Sequence, residues 1–144
     1  MTNGGDERLK TRRRFANIWN ELAYVCKHIH YWWYVRKDKT SAKRYLNRLQ
    51  RVLDELPEND LAIIREEGLA WLHHLKGEKS LAIKHRKREI RLIERLHASV
   101  RRSLTNGDYD ESVATFALAG RDLAGLEERR AILKALKEEK PRKE

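Results

Sequence analysis

Cys26, His28 and His30 alternate along one stretch of the chain, and thiolate and imidazole are side chains that hold zinc. Helical geometry breaks up the trio. At about 100° per residue His28 points away from Cys26 and His30, leaving two donors where zinc wants three or four. Glu94-x-x-His97 matches half of a di-iron carboxylate pair, but such bundles need two of these motifs plus two further glutamates, and no second one is present. His73 and His74 stand about 100° apart on a helix, so one of them is expected to face solvent. No Gly-rich phosphate loop follows a strand, and no nucleophile–base arrangement is visible. These residues point to a non-enzyme with no catalytic group, no metal, no cofactor and no small-molecule substrate.

The chemistry on offer is charge. The 144 residues hold 32 Lys and Arg against 22 Asp and Glu, a net charge of +10. Two blocks hold all the excess: Arg8–Leu56, with thirteen basic residues against four acidic, and Ala82–Leu104, with eight against two. Within the second block Lys84, Arg88, Arg91, Arg95 and Arg102 share one side of a helix, opposite its apolar face, with Glu89 and Glu94 placed beside the stripe. A solvated helix back mixes signs in i, i+4 pairs. A stripe of one sign instead suits an acidic protein partner or a nucleic-acid backbone, the latter bound without sequence preference and with steep salt dependence. Arg12, Arg13 and Arg14 add a second basic element. Arg86 sits in the middle of the same helix's apolar face, between Ala82 and Ile90. An unpaired guanidinium there is costly, so Glu67 or Glu66 on the preceding helix is the expected partner. The alternative is a face open at that level, with Arg86 reaching solvent or a ligand.

A second candidate surface is aromatic. Tyr24, His28, Tyr31 and Val35 recur at i, i+4, i+7 and i+11, on the side of the first helix away from its apolar seam. Either this helix is buried on both sides by its own chain, or the stripe is exposed for a partner protein, a second copy of the chain, or unstacked bases. Lys27, Arg36 and Lys37 would suit phosphates in the last case. Tyr31-Trp32-Trp33-Tyr34 places four aromatics in a row, so at least one ring must leave any single core face. Trp33 is expected in the core, with Tyr31 and Tyr34 at the interface.

The elements that must position these residues are helices. Seven Gly and two Pro are too few for an all-β sandwich or barrel, which needs turn residues every 8–12 positions. One cysteine excludes a disulfide framework. No window of 18 apolar residues exists and Met1–Lys10 has no apolar core, so neither a membrane span nor a secretory signal is expected, and a cytoplasmic location follows. Phe15, Trp19, Leu22, Cys26, Ile29 and Trp33 form a heptad seam over Lys10–Arg36. A second helix is expected from a Thr40 or Ser41 cap to Leu56, ended by Pro57. A third, capped by Asn59 or Asp60, carries Ile64, Gly68, Trp71 and Leu75, with Gly77 as the left-handed residue beyond it. A fourth spans about Glu78–Leu104 with Ala82, Ile83, Ile90, Ile93, Leu96, Val100 and Leu104 inward. A short helix follows through Tyr109, Val113 and Phe116, Gly120 breaks it, and Asp122 caps the last. Disordered tails are expected at 1–9 and 137–144 around a single domain at 10–136. Short connections imply antiparallel neighbours. The expected fold is therefore all-α, with five to six antiparallel helices in an irregular bundle or a short stack of hairpins.

Ala42, Ala82 and Ser112 are small residues early in successive helices, 40 and 30 positions apart. Together with Gly68 and Trp71 in the preceding helix, and with Pro57 as a repeat-closing proline, they make Ser41–Phe116 resemble the tetratricopeptide-type helical repeat. That resemblance implies a superhelix of hairpins that binds peptides or partner proteins without catalysis. The expected function is a non-catalytic helical adaptor or accessory subunit, docking on a partner macromolecule through the basic face and the aromatic stripe. The alternative is an accessory protein that contacts the backbone of DNA or RNA, within a nucleoprotein assembly.

Overall fold

The computed structural model describes residues 4–56, 62–118 and 121–139, and for 4–16 the backbone alone. The described chain is helical throughout: α1 Gly4–His30, a widened turn at Tyr31–Val35, α2 Lys39–Lys43, α3 Leu46–Glu55, α4 Ala62–Leu75, α5 Lys79–Thr105, α6 Glu111–Ala117 and α7 Leu123–Glu138. No helix among the described residues is long and apolar enough to cross a membrane.

The heptad seam forms as expected. Leu22, Cys26, Ile29 and Trp33 are buried and Trp19 packs beside them, while Phe15 lies where side chains are not described. Against this seam pack Leu49, Val52 and Leu53 of α3 and Ile64, Trp71, Leu72 and Leu75 of α4. Gly68 is the point of closest approach: a methyl group there would stand 2.8 Å from Leu53 Cδ2 and 3.0 Å from Leu22 Cδ1. A second, smaller core joins Ile90 and Ile93 of α5 to Leu126 of α7. α4 contacts α1, α3 and α5, and α1 contacts α2, α3 and α4, so the two share the middle of the fold.

Several boundaries differ from the sequence expectation for local reasons. The first helix begins at Gly4, so most of the expected N-terminal tail is helical. The expected second helix is two, because the backbone turns at Arg44–Tyr45. Its cap is neither Thr40 nor Ser41. Asp38 accepts from Ser41 N at 3.0 Å and from Ser41 Oγ at 2.7 Å, and a carboxylate with two donors outcompetes a hydroxyl. Lys37, at φ 52°, makes the left-handed break before it. Pro57, Asn59, Asp60 and Gly120 lie outside the described residues.

Gly77 does end α4 in the left-handed conformation, at φ 79°, with Glu78 N bonded to His73 O and Gly77 N to His74 O. Asp110 and Asp122 cap α6 and α7 through Val113 N and Gly125 N. The charged end of the chain is held further than expected: α7 runs through Lys137 and Glu138, and Glu139 Oε1 stands 3.1 Å from His74 Nε2. Not every expected inward residue is covered. Leu104 is exposed at the end of α5, as are Val113 and Phe116 on α6 and Leu123 on α7, with Phe116 84% exposed.

Candidate functional site

Lys84, Arg88, Arg91, Arg95 and Arg102 all project from the solvent side of α5, because Ala82, Ile90, Ile93 and Val100 turn the opposite side inward. Arg88 comes within 3.9 Å of Glu66. Lys84, Arg91, Arg95 and Arg102 have no carboxylate within 4 Å among the described residues. Arg88, Arg91 and Arg95 border a shallow depression with Glu66 and Leu92. Arg12, Arg13 and Arg14 belong to α1, in the stretch whose side chains are not described.

The aromatic stripe is only partly an exposed surface. Tyr24 and Tyr31 are 46% and 42% exposed, and Val35 is exposed beside them. His28 is half-buried, its ring 4.1 Å from Tyr24 and 5.7 Å from Tyr45. Arg48 lies over the Tyr24 ring at 5.0 Å and is fixed by an ion pair to Glu21. Tyr34 departs from expectation and packs inward, against His30 and Trp71 at 5.6 and 5.9 Å. The reason is the widened turn: Arg36 N bonds to Tyr31 O five residues back, and the extra residue per turn rotates Tyr34 off the outer side. Burial pushes its phenol up to about 12, with Glu139 adding to the effect.

The structure's strongest electrostatic feature is internal. Arg86 is 2% exposed, and Glu89, at 0%, is its partner at 2.5 Å, instead of Glu67 or Glu66. Arg129 of α7 completes the cluster, its Nε donating to Glu89 and its Nη2 to Glu67, both at 2.7 Å. One side chain of α7 thereby ties α4 to α5. Arg86 also lies over the Trp71 ring at 5.2 Å. The sequence does hold a signal for Glu89: an i, i+3 step from Arg86 leaves it on the same side of the helix, not beside the outer stripe. Arg129, 40 and 62 residues from its partners, gives no such signal.

The remaining candidate groups have structural roles. Cys26 is buried, and burial, with Glu67 second, raises its thiol pKa, away from nucleophilic use. His97 donates to the Arg121 carbonyl, and Glu94 stands 3.9 Å from Arg130. Neither His73 nor His74 is free in solvent: His74 is buried against Trp71 and Trp33, and His73 stacks on His85 at 5.3 Å. Among the described residues no three metal-binding side chains gather where an ion could sit.

The cluster carries a pH dependence with opposing parts. Burial, with Glu67 adding to it, pushes Glu89 up to about 7 from an unperturbed 4.5. Folding therefore takes up a proton there, and stability falls as pH rises between those values. Burial lowers His74 and His30 below 6.5, although Glu139 and Glu128 oppose it. Their contribution is full above 6.5 and is lost as pH falls. Urea titrations of Glu89→Gln from pH 5 to 8 are expected to show stability rising with pH, whereas the native chain should give a flatter profile. Identical profiles would remove Glu89 as a titrating group. No family model, no curated protein and no solved structure matches this chain, so its own surfaces and clusters alone bear on what it does.

Proposed function

We propose that the chain is a non-catalytic helical adaptor that docks on a partner macromolecule through the outer face of α5, with Tyr24 and Tyr31 as a second, aromatic contact. The observation that supports this reading is the set Lys84, Arg91, Arg95 and Arg102: exposed, of one sign, and without a carboxylate within 4 Å among the described residues. Cations kept only for solubility are usually interleaved with acids. The reading takes α4 and α5 as an antiparallel hairpin of the tetratricopeptide kind, for which the small residues Gly68 and the fully buried Ala82 speak. It also takes the protein as cytoplasmic.

A second reading, in which the polyanion is DNA or RNA, is favoured by the reach of the stripe. From Lys84 to Arg102 it covers about 27 Å of helix at 1.5 Å per residue, the span of several phosphates. One experiment tests both. The chain and its Arg91→Glu, Arg95→Glu, Arg102→Glu variant are titrated with a random-sequence duplex and with polyglutamate at about 50 mM salt. The native chain is expected to bind at least one of them, and the variant to bind about tenfold or more weakly. Stronger binding to the duplex, with the salt slope falling by about one for each phosphate that the variant no longer neutralises, selects nucleic acid; stronger binding to polyglutamate selects an acidic protein. Binding of neither polyanion, or binding indifferent to the reversal, would sink the proposal.

A further inference from the structure

Between α1, α4, α5 and α7 lies a cavity of about 340 Å³. Its walls are of two kinds. Trp19, Ala23, Ile64, Trp71 and Ile132 present apolar surface, while Arg86, Arg121 and Arg129 bring three guanidinium groups to one space. Arg129 is engaged by both carboxylates of the buried cluster. Arg86 gives one terminal nitrogen to Glu89, but its buried Nε–H has no acceptor among the described residues. The same holds for the buried Nε–H of Arg121, which has no carboxylate within 4 Å among the described residues either.

Three guanidiniums face the two buried carboxylates Glu67 and Glu89, so one positive charge is left over. Lys27 and Glu128 also border the cavity, but both are exposed and screened by water, and Glu128 is turned to His30 at 3.5 Å. A guanidinium N–H buried without an acceptor gives up its hydration and gains no hydrogen bond in return. Burial accordingly pulls the Arg121 pKa down, against the attraction of Glu67. A group that supplied two acceptor oxygens and one negative charge would satisfy both arginines and leave the cluster neutral.

We propose that this cavity is a binding site for a small organic monocarboxylate, its carboxylate taken by Arg121 and Arg86 and its apolar body lying against Trp19 and Trp71. A monoanion fits better than phosphate on two counts. One charge is what the cluster lacks, and the apolar walls would waste a fully polar ligand. The site is separate from the outer face of α5, and neither depends on the other.

The test uses the full chain with benzoate as the probe, benzamide as its neutral isostere and inorganic phosphate as a control anion. Tryptophan fluorescence and thermal unfolding report binding at about 10 mM of each. Benzoate is expected to quench the fluorescence and raise Tm, while benzamide and phosphate do neither. Arg121→Met should weaken benzoate about tenfold or more, the loss of a hydrogen bond to a charged group. Ala23→Phe, which fills the cavity and removes no charge, should abolish binding, and it keeps the test open if Arg121→Met does not fold. Arg91→Glu, on the far face of α5, should leave benzoate binding unchanged. Equal effects of benzoate and phosphate, equal effects of benzoate and benzamide, or no benzoate effect at all would each overturn the proposal.

Discussion

Replacing Glu89 by alanine is expected to destabilise the fold by about 3–5 kcal/mol, the usual cost of removing one partner from a buried ion pair. Glu89 accepts from Arg86 and from Arg129, and it has no exposed surface. Without it Arg86 keeps a buried positive charge under Trp71 with no carboxylate, and Arg129 retains Glu67 alone. Glu89→Gln keeps the volume and one acceptor oxygen, so it should cost clearly less than alanine. Its deficit should also shrink toward pH 8, because a carboxyl raised to about 7 lowers the stability of the native chain, and not of the variant, as pH rises. Urea midpoints of both variants at pH 5.5 and 8 check this. An alanine variant within about 1 kcal/mol of the native chain would show that Arg86 finds other acceptors.

Trp71→Ala is expected to cost a similar amount, about 3–5 kcal/mol. Trp71 is 2% exposed, and its indole is shared by two groups that otherwise have little in common. One face lies parallel to the His74 ring at 5.2 Å, and the Arg86 guanidinium stands 5.2 Å from the ring. Tyr34 and His30 flank it at 5.9 and 6.2 Å. Truncation therefore opens a cavity between α1 and α4 and also strips the aromatic face from a buried cation. Trp71→Phe, which keeps a ring there, should recover more than half of the loss. Unfolding followed by circular dichroism distinguishes the two; equal costs for Ala and Phe would show that the site needs the full indole, and that a smaller ring and its volume recover nothing.

What the sequence makes legible divides by range. The seam of α1, the capping aspartate at 122 and the glycine stop at 77 are local patterns, in which the residues that cause the structure lie within a turn or two of it. The all-helical class and the outward stripe of α5 follow from the same 3.6-residue period. The cap at Asp38 is hidden because three neighbouring residues could serve, and only the chain path chooses among them. Tyr34 is misplaced by a regular helix because a widened turn shifts every later residue, and four consecutive aromatics do not announce one. The buried cluster is a different case. Half of it, Arg86 with Glu89, is a local pair that helical spacing contains. The other half needs Arg129 from α7, which only the folded chain brings near. The cavity is out of reach for the same reason, since its walls come from four helices.

The bond from Arg129 to Glu67 and Glu89 also imposes an order of events. Glu67 and Glu89 leave the ribosome 62 and 40 residues before the arginine that neutralises them. Until Arg129 is available, Glu67 lacks its ion-pair partner and Glu89 has Arg86 alone. The side of the α4–α5 pair that α7 covers is open to water until then, and the cluster is buried only when the last helix docks. The contact that ties α4 to α5 in the finished molecule is therefore expected to be among the last to form.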